Sequence, residues 1–230
     1  MLKDVKAVIF DFDGTLYDFK GLPRNLIFSS LPNIFRINAV QKTRKAFKGK
    51  EFDSEDQYKN QFFSLLAKKA GFSNIAEAEN WYKNLYMKKM ISVLKKKYTK
   101  RDSAEDLFKN LKSNKIKIVI YSDYGMLKER LLAIGFSEDF LHQYVDFMIS
   151  SEDFACLKPA KKGFLEVASK LDTLPTNCLV VGDRVDTDGI GAFSSGMKFI
   201  QIKTHKTKTG EKTSHPIFDF ADFSKFLKEN

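Results

Sequence analysis

The sequence predicts an α/β fold, a doubly wound parallel sheet, with a long helical insert between its first and second strands. Short apolar runs rich in β-branched residues recur along the chain without polar alternation, which is typical of strands buried on both faces. Stretches with helical periodicity separate most of these runs, as βαβ units require. The segment between the first two runs is helical in pattern throughout and far longer than a crossover needs.

Six segments are predicted as strands, and the last of them is short enough to lie at a sheet edge. In chain order they are residues 5–10, 116–121, 145–150, 177–182, 197–202 and 217–220. Apolar residues spaced three and four apart predict the helices between them, as Leu107, Phe108 and Leu111 do before the second strand. The chain is therefore divided into a core of residues 1–16 and 101–230 and a helical insert of residues 17–100.

The helical insert carries all of the chain's excess positive charge. Residues 17–100 contain 18 Lys and Arg against 7 Asp and Glu, a surplus of 11, whereas the other residues contain 21 against 22. Three explanations are open: solvated helix faces, electrostatic attraction of an anionic phosphorylated substrate, and binding of nucleic acid. The third lacks basic and aromatic alternation or a known module, so nucleic acid is not expected as a partner.

Composition excludes several other classes. Hydrophobic residues make up 43% and charged residues 30%, as in globular proteins, and no apolar run is long enough to span a membrane. The first residues alternate charged and apolar side chains and lack the apolar core of a signal peptide. Cys156 and Cys178 provide no disulfide framework. We therefore expect a cytoplasmic location and no membrane partner, and composition leaves the oligomeric state open.

Polar side chains gather just beyond the predicted strand ends. In an open α/β sheet, ligands bind outside the carboxyl ends of the strands. The acids, the hydroxyl and the lysine that follow strands in this chain are Asp11, Asp13, Ser122, Lys158, Asp183 and Asp188. Converging carboxylates repel one another, so a cation is expected among them, and ligands made only of oxygen favour Mg²⁺.

The spacing of Asp11 and Asp13 suits a two-step displacement. Residues two apart in extended chain point to the same side, so both acids can face the crevice while Phe12 turns toward the core. Gly14 allows the chain to bend away, and the Thr15 hydroxyl can tie the turn. One acid can attack a phosphoryl group while its neighbour exchanges a proton.

Four short motifs resemble those of the haloacid dehalogenase superfamily of phosphohydrolases and phosphotransferases. The family's first motif, DxDGT, matches residues 11–15, and its second, an apolar strand ending in Ser or Thr, matches the strand that ends at Ser122. The third, a lysine before proline, matches Lys158 and Pro159, and the fourth, GDxxxxD, matches residues 182–188. The long helical insert is similar to the family's C1 cap.

The resemblance implies a role for each matched residue. Asp11 would be the nucleophile and a Mg²⁺ ligand, and Asp13 the general acid and base, giving the metal its backbone carbonyl. Ser122 and Lys158 would bind the phosphoryl group, and Asp183 and Asp188 would complete the metal site. Asp13 favours phosphate chemistry, because family members that cleave carbon–halogen bonds typically lack an acid there. The implied enzyme is a cytoplasmic, Mg²⁺-dependent phosphatase acting on a small phosphomonoester through an aspartyl-phosphate.

Two other functions stay open at this stage. A sugar phosphomutase shares these residues and keeps the phosphoryl group for a second hydroxyl. A binding or regulatory module without catalytic activity would retain the fold but release no phosphate.

Some further residues carry expectations of their own. Arg44, Lys48 and Lys50 surround Gly49 in a predicted turn between helices, and we expect this turn to contact the leaving group. Asp123 is predicted to cap the helix that follows it. Asp186 falls outside the spacing of the fourth motif and is not assigned to the site.

Overall fold

The computed structural model describes residues 4–28, 33–205, 207 and 213–229, and within them six parallel strands form one sheet. The order across the sheet is β3-β2-β1-β4-β5-β6. The strands are β1 (Ala7–Phe10), β2 (Lys117–Ser122), β3 (Phe147–Ser150), β4 (Cys178–Gly182), β5 (Lys198–Ile202) and β6 (Ile217–Phe218). Every predicted strand is confirmed, and so is the doubly wound parallel architecture.

Strand β1 lies at the centre of the sheet, between β2 and β4. Its successive residues face opposite sides: Val8 and Phe10 join one apolar cluster, and Ala7 and Ile9 join another. Both faces are therefore covered, as the continuous apolar sequence of β1 predicts. The chain passes from β1 to neighbours on either side, so the sheet's switch point, where ligands bind in such folds, lies at the carboxyl end of this strand.

Helices fill the chain between β1 and β2 in the described residues. They are α1 (Leu22–Phe28), α2 (Ile34–Phe47), α3 (Glu55–Ala70), α4 (Ile75–Trp81), a π-helical segment (Tyr82–Met87), α5 (Lys88–Lys97) and α6 (Ala104–Ser113). Local chemistry sets some of these bounds: the Ser54 hydroxyl accepts from the Gln57 N–H at the start of α3, and Gly71 ends it with φ of +69°. The helical character predicted for the insert is confirmed.

The insert leaves and rejoins the core at one place. Tyr17 forms an isolated antiparallel bridge with Lys100, and the Arg101 N–H donates to the Leu16 carbonyl at 2.8 Å. The Tyr17 and Tyr98 rings meet edge to face with centroids 5.6 Å apart. The two connecting segments therefore lie side by side next to the first motif.

The remaining helices cover the sheet after β2. They are α7 (Leu127–Ala133), α8 (Glu138–Tyr144), α9 (Lys161–Lys170), α10 (Ile190–Ser194) and α11 (Phe220–Glu229). The start of α11 corrects one boundary: the sixth strand was predicted to reach residue 220 and ends at Phe218. The Asp219 carbonyl instead accepts from the Phe223 N–H and opens the helix. No described helix is long and apolar enough to cross a bilayer.

Candidate active site

Three strands deliver the candidate catalytic residues to one crevice. Asp11 follows β1 directly, and its N–H still bonds the Val181 carbonyl at 2.8 Å, so the neighbouring strand fixes its backbone. Ser122 is the last residue of β2, and Asp183 follows β4 directly. The parallel register thus brings residues distant in sequence to the same edge of the sheet.

The Asp11 carboxylate is buried and has a donor on each oxygen. Lys158 Nζ lies 2.8 Å from Oδ1, and the Thr15 hydroxyl donates to Oδ2 at 3.2 Å. Burial raises the pKa of Asp11 to about 7, an effect that Lys158 opposes and that Asp188 and Asp13 reinforce. The expected turn is also present, because Gly14 has φ of +90° and Phe12 is fully buried.

Lys158 holds two carboxylates together. It is 3% exposed, and its ammonium lies 2.8 Å from both Asp11 Oδ1 and Asp188 Oδ1 and donates to the Tyr121 carbonyl at 2.7 Å. Burial alone would lower the pKa of Lys158, but Asp11 and Asp188 outweigh it and hold the pKa above its ordinary value. The side chain is therefore a fixed cation inside the crevice.

Asp123 positions Lys158 and caps no helix, so the capping prediction was wrong. Its Oδ1 accepts from the Lys158 N–H at 2.9 Å and from the Ser151 hydroxyl at 2.7 Å. The residue at the N-terminal boundary of α7 is Met126, which makes no side-chain capping bond. Asp123 therefore bonds a residue 35 positions away instead of the start of the helix that follows it.

Asp11, Asp183 and Asp188 form a buried cluster in which one oxygen from each lies within 4.8 Å of the others. Burial, with Asp11 and Asp188 as further causes, raises the pKa of Asp183 to about 9. Three carboxylates thus face one ammonium, and an additional cation would offset this excess of negative charge. Ligands made only of oxygen suit a hard divalent ion, so the residues present fit Mg²⁺.

The glycines of the first and fourth motifs make room for this cluster. A Cβ at Gly14 would lie 2.5 Å from Asp183 Oδ2, and a Cβ at Gly182 would lie 2.5 Å from the Asp188 Cγ. The Gln201 amide donates to the Asp183 carbonyl at 3.0 Å and holds the chain from β5. Any larger residue at either glycine would displace a carboxylate of the candidate metal site.

Asp13 lies near Asp11 but has different partners. Its Oδ1 accepts from the Tyr17 hydroxyl at 2.5 Å, and its Oδ2 is paired with the guanidinium of Arg130. Its side chain is 27% exposed, so it is more accessible to solvent than the side chain of Asp11. Asp13 is therefore separate from the acidic cluster and balanced by a cation of its own.

The insert's turn after α2 reaches the segment that leads to Lys158. The Gly49 N–H donates to the Leu157 carbonyl and the Leu157 N–H to the Lys50 carbonyl, both at 3.2 Å. The Phe52 N–H donates to the Ala155 carbonyl at 2.9 Å. These backbone hydrogen bonds hold the predicted turn beside the crevice.

The three basic residues expected in this turn have different surroundings. Arg44 lies within α2, 8% exposed, and donates to Glu152 Oε1 at 2.7 Å and to the Tyr82 hydroxyl at 3.1 Å. Lys48 pairs with Asp186 at the rim. Lys50 places its ammonium 5.2 Å from the Phe47 ring centroid, away from the residues that line the cavity.

A cavity of about 330 Å³ lies between the insert and the crevice. Its charged lining residues are Arg44, Lys45, Lys48, Asp123, Lys158, Arg184 and Asp186. Most of these charges are paired within the protein, since Glu152 balances Arg44, and Asp186 accepts from both Arg184 and Lys48. Although burial raises the pKa of Asp186, these two cations bring it down to about 2.

Sequence reasoning missed Arg130, Asp186 and the role of Asp123. Arg130 had a signal, because it lies three residues after Leu127 and just before Leu131, on the apolar side of α7. An arginine on such a stripe needs a buried partner. No sequence signal marked Asp186, because its partner Lys48 is 138 residues away.

The parallel sheet, the acids at its strand ends and the buried lysine paired with them form a site suited to the hydrolysis of phosphate esters. A family model described as haloacid dehalogenase-like hydrolase matches residues 5–196, and the chain belongs to this family. The predicted recognition and the predicted enzyme class, a hydrolase of phosphoric monoesters, are confirmed.

Curated relatives are similar to the chain along most of its length. A glyceraldehyde 3-phosphate phosphatase of Methanopyrus kandleri is 26% identical, the alignment covering 88% of this chain and 85% of the relative. The pyrimidine 5'-nucleotidase YjjG of Escherichia coli is 25% identical, with 89% and 88% covered. The crystal structure of a predicted phosphoglycolate phosphatase from Haemophilus somnus has a TM-score of 0.66 at 16% identity, with 98% and 99% covered, which supports the fold.

Proposed function

We propose that the chain hydrolyses a small phosphomonoester in a Mg²⁺-dependent reaction with Asp11 as the nucleophile. The observation that supports this most directly is the environment of Asp11. Its carboxylate lies at the end of the central strand, 2.8 Å from a buried ammonium and beside Asp183 and Asp188. A substrate phosphoryl group bound here meets a nucleophile, a fixed cation and a candidate metal site together.

Asp11, Asp183 and Asp188 would hold the ion through their side chains, and Asp13 through its backbone carbonyl. When bound, Mg²⁺ neutralises charge on the phosphoryl oxygens and on Asp11, so that one anion can attack another. Lys158 and Ser122 would bind the other phosphoryl oxygens.

The proposed reaction has two displacements at phosphorus. In the first, an Asp11 carboxylate oxygen forms a bond to phosphorus, the ester oxygen leaves, and Asp13 gives it a proton. In the second, Asp13 takes a proton from water, the water oxygen bonds to phosphorus, and Asp11 is released. The products are inorganic phosphate and the free alcohol, and both acids return to their starting states.

We further propose that residues 17–100 form a cap over the core and that their turn after α2 selects the leaving group. The 330 Å³ cavity has the size of small-ligand sites. Within the described residues Lys45 has no carboxylate partner, and it lines this cavity together with the Lys48–Asp186–Arg184 group. This surplus of positive charge favours a leaving group that is itself anionic, such as a carboxylate-bearing alcohol.

The test is phosphate release from a panel of sugar phosphates, nucleotides, phosphoglycolate and three-carbon phosphates, with Mg²⁺ or with EDTA. The expected result is Mg²⁺-dependent release from one substrate class, lost in Asp11→Asn. Product analysis on a hexose 1-phosphate addresses the phosphomutase alternative, because a mutase yields an isomerised sugar phosphate in place of free phosphate. No phosphate release from any substrate would contradict the proposal, and if no isomerised sugar phosphate formed either, it would favour a binding module.

A further inference from the structure

The side chain of Arg130 is the largest fully buried one in the molecule's described part, and it lies beside the candidate site. It belongs to α7, has 0% exposure, and its charge is balanced by one carboxylate, that of Asp13. A buried guanidinium is costly unless it is paired and its N–H groups are bonded. The chain therefore maintains this arrangement for a reason other than filling space, which an apolar residue would do at less cost.

Arg130 links two residues that the proposed reaction uses. One terminal nitrogen donates to Asp13 Oδ2, and the other lies 3.1 Å from both the Ser122 hydroxyl oxygen and the Tyr124 carbonyl. The guanidinium carbon also lies 4.5 Å from the ring centroid of Phe12, the residue between the two acids of the first motif. The group thus contacts both the end of β2 and the turn after β1.

The bond to Ser122 determines where that hydroxyl can point its hydrogen. A serine hydroxyl has one hydrogen to donate and two lone pairs to accept with. Here the oxygen accepts from Arg130 at 3.1 Å and from the Tyr124 N–H at 3.3 Å, so both acceptor positions are used. Among the described residues the hydroxyl donates to no acceptor, and its hydrogen remains available for an oxygen of a bound phosphoryl group.

The same guanidinium fixes the rotation of the Asp13 carboxylate. Tyr17 holds Oδ1 and Arg130 holds Oδ2, so both oxygens are fixed by donors from opposite sides. The Tyr17 donor lies where the insert joins the core, whereas the Arg130 donor belongs to the core sheet's own helix. Arg130 is therefore the donor by which the core's own helix holds the Asp13 carboxylate.

We propose that Arg130 is a positioning residue that aligns Asp13 with the leaving oxygen and turns the Ser122 hydrogen toward the phosphoryl group. This inference rests on the proposed phosphatase function. A lysine would keep the charge but has a single nitrogen, which cannot donate along both directions of the planar guanidinium fork. Arg130→Lys therefore separates the charge of the side chain from its geometry.

The kinetic experiment compares phenyl phosphate with p-nitrophenyl phosphate, two esters of similar shape whose leaving groups differ in their need for a proton. Arg130→Lys is expected to lower kcat for phenyl phosphate by about 100-fold and for p-nitrophenyl phosphate by about 10-fold or less, since proton transfer matters most for the poorer leaving group. Glu129→Gln, an exposed neighbour on α7, serves as the control and is expected to match the wild type. Equal losses on both esters, or none, would overturn the proposal.

A thermal measurement tests the ion pair on which the proposal rests, and it needs neither substrate nor the Arg130→Lys variant. In EDTA, Asp13→Asn is expected to lower the melting temperature because it leaves the Arg130 charge buried without its carboxylate. The double variant Asp13→Asn, Arg130→Met is expected to recover part of that loss. An unchanged melting temperature in Asp13→Asn would overturn the proposal. Absence of phosphate release by the wild type would instead contradict the proposed function. The melting temperatures would still show whether Asp13 and Arg130 form a stabilising ion pair.

Discussion

The two acids of the first motif lie two residues apart and occupy opposite electrostatic environments. Asp11 belongs to a group of three buried carboxylates, two of which pair with the Lys158 ammonium, so negative charge exceeds positive charge around it. Asp13 has one guanidinium to itself and a tyrosine hydroxyl on its other oxygen. The difference shows how two carboxylates close in sequence can be given different surroundings: that of Asp11 favours a cation, and that of Asp13 fixes the orientation of its carboxyl group.

The comparison predicts the largest effect for Asp11→Asn. This change removes the proposed nucleophile and one metal ligand while keeping the side chain's shape, so kcat is expected to fall by about 10⁴-fold or more. Phosphate release at saturating substrate measures it, and circular dichroism checks that the fold is retained. Activity within about 10-fold of the wild type would contradict the assignment of Asp11.

Asp13→Ala is expected to have a smaller effect that depends on the leaving group. An alkyl phosphate, whose alcohol needs a proton, should lose about 10² to 10⁴-fold in kcat, and p-nitrophenyl phosphate should lose far less. Asp18→Ala, an acid at an exposed position near the same connection, is the matched control. A loss of the same size on both esters would mean that Asp13 acts on the fold or the metal instead of on the proton.

The third prediction concerns pH and the metal. Burial raises the pKa of Asp11 from 3.8 to about 7 and that of Asp183 from 3.8 to about 9, so the folded chain without metal binds protons that the unfolded chain has released. The free energy of unfolding in EDTA is therefore expected to fall as pH rises from about 4 to about 9. Mg²⁺ bound at the proposed site would replace those protons, so its stabilising effect is expected to grow across the same range.

Melting temperatures in EDTA and in MgCl₂, with NaCl matched for ionic strength, measure this effect. Asp11→Asn, which removes one of the raised carboxylates, should flatten the pH dependence in EDTA. A melting temperature in EDTA that rises over this range, or a Mg²⁺ effect that does not change with pH, would contradict the account of the acidic cluster.

The insert offers a fourth test, of more modest size. Lys45→Ala and Lys48→Ala should lower kcat/KM for 3-phosphoglycerate by about 10-fold, as expected for loss of a charge-assisted contact, and should affect glyceraldehyde 3-phosphate less. Lys42→Ala, an exposed lysine on the same helix but outside the cavity lining, is the control. If all three variants had the same kcat/KM as the wild type on both substrates, the proposal that the turn selects the leaving group would be contradicted.

The smallest effect is expected for Asp186→Asn. Its carboxylate holds Lys48 and Arg184 at the cavity rim, in exposed pairs that contribute little to stability. Releasing these cations should raise kcat/KM for an anionic three-carbon phosphate by about 2- to 5-fold and leave the melting temperature unchanged. A decrease in kcat/KM would mean that Asp186 itself contacts the substrate.

The parts of the molecule that sequence predicted well follow from short-range rules. Strand β1 and the residues just after it were predicted because an apolar run determines the strand and the parallel sheet determines where its carboxyl end lies. The position of Asp11 beside Asp183 follows from the same geometry. Gly14 and Thr15 form the expected turn for equally local reasons.

The parts that sequence did not predict depend on long-range contacts. Arg130 meets Asp13 across 117 positions, and Arg44 meets Glu152 across 108, so no local pattern specifies either pair. Asp123 shows how a long-range contact can replace a local one. The local pattern predicts a helix cap, but the Asp123 carboxylate accepts from the Lys158 N–H instead. The boundaries of the proposed cap and the choice of substrate stay predictions for the same reason, because exposed insert side chains obey no spacing rule.

The central claim is that Asp11 carries the phosphoryl group during turnover. Its direct test is rapid acid quenching of the enzyme with substrate and Mg²⁺, followed by proteolysis and mass spectrometry of the peptide of residues 7–20. The account predicts one phosphoryl group on Asp11, removed by hydroxylamine and absent from Asp11→Asn. Steady turnover with the phosphoryl group on another residue, or undiminished turnover by Asp11→Asn, would contradict it.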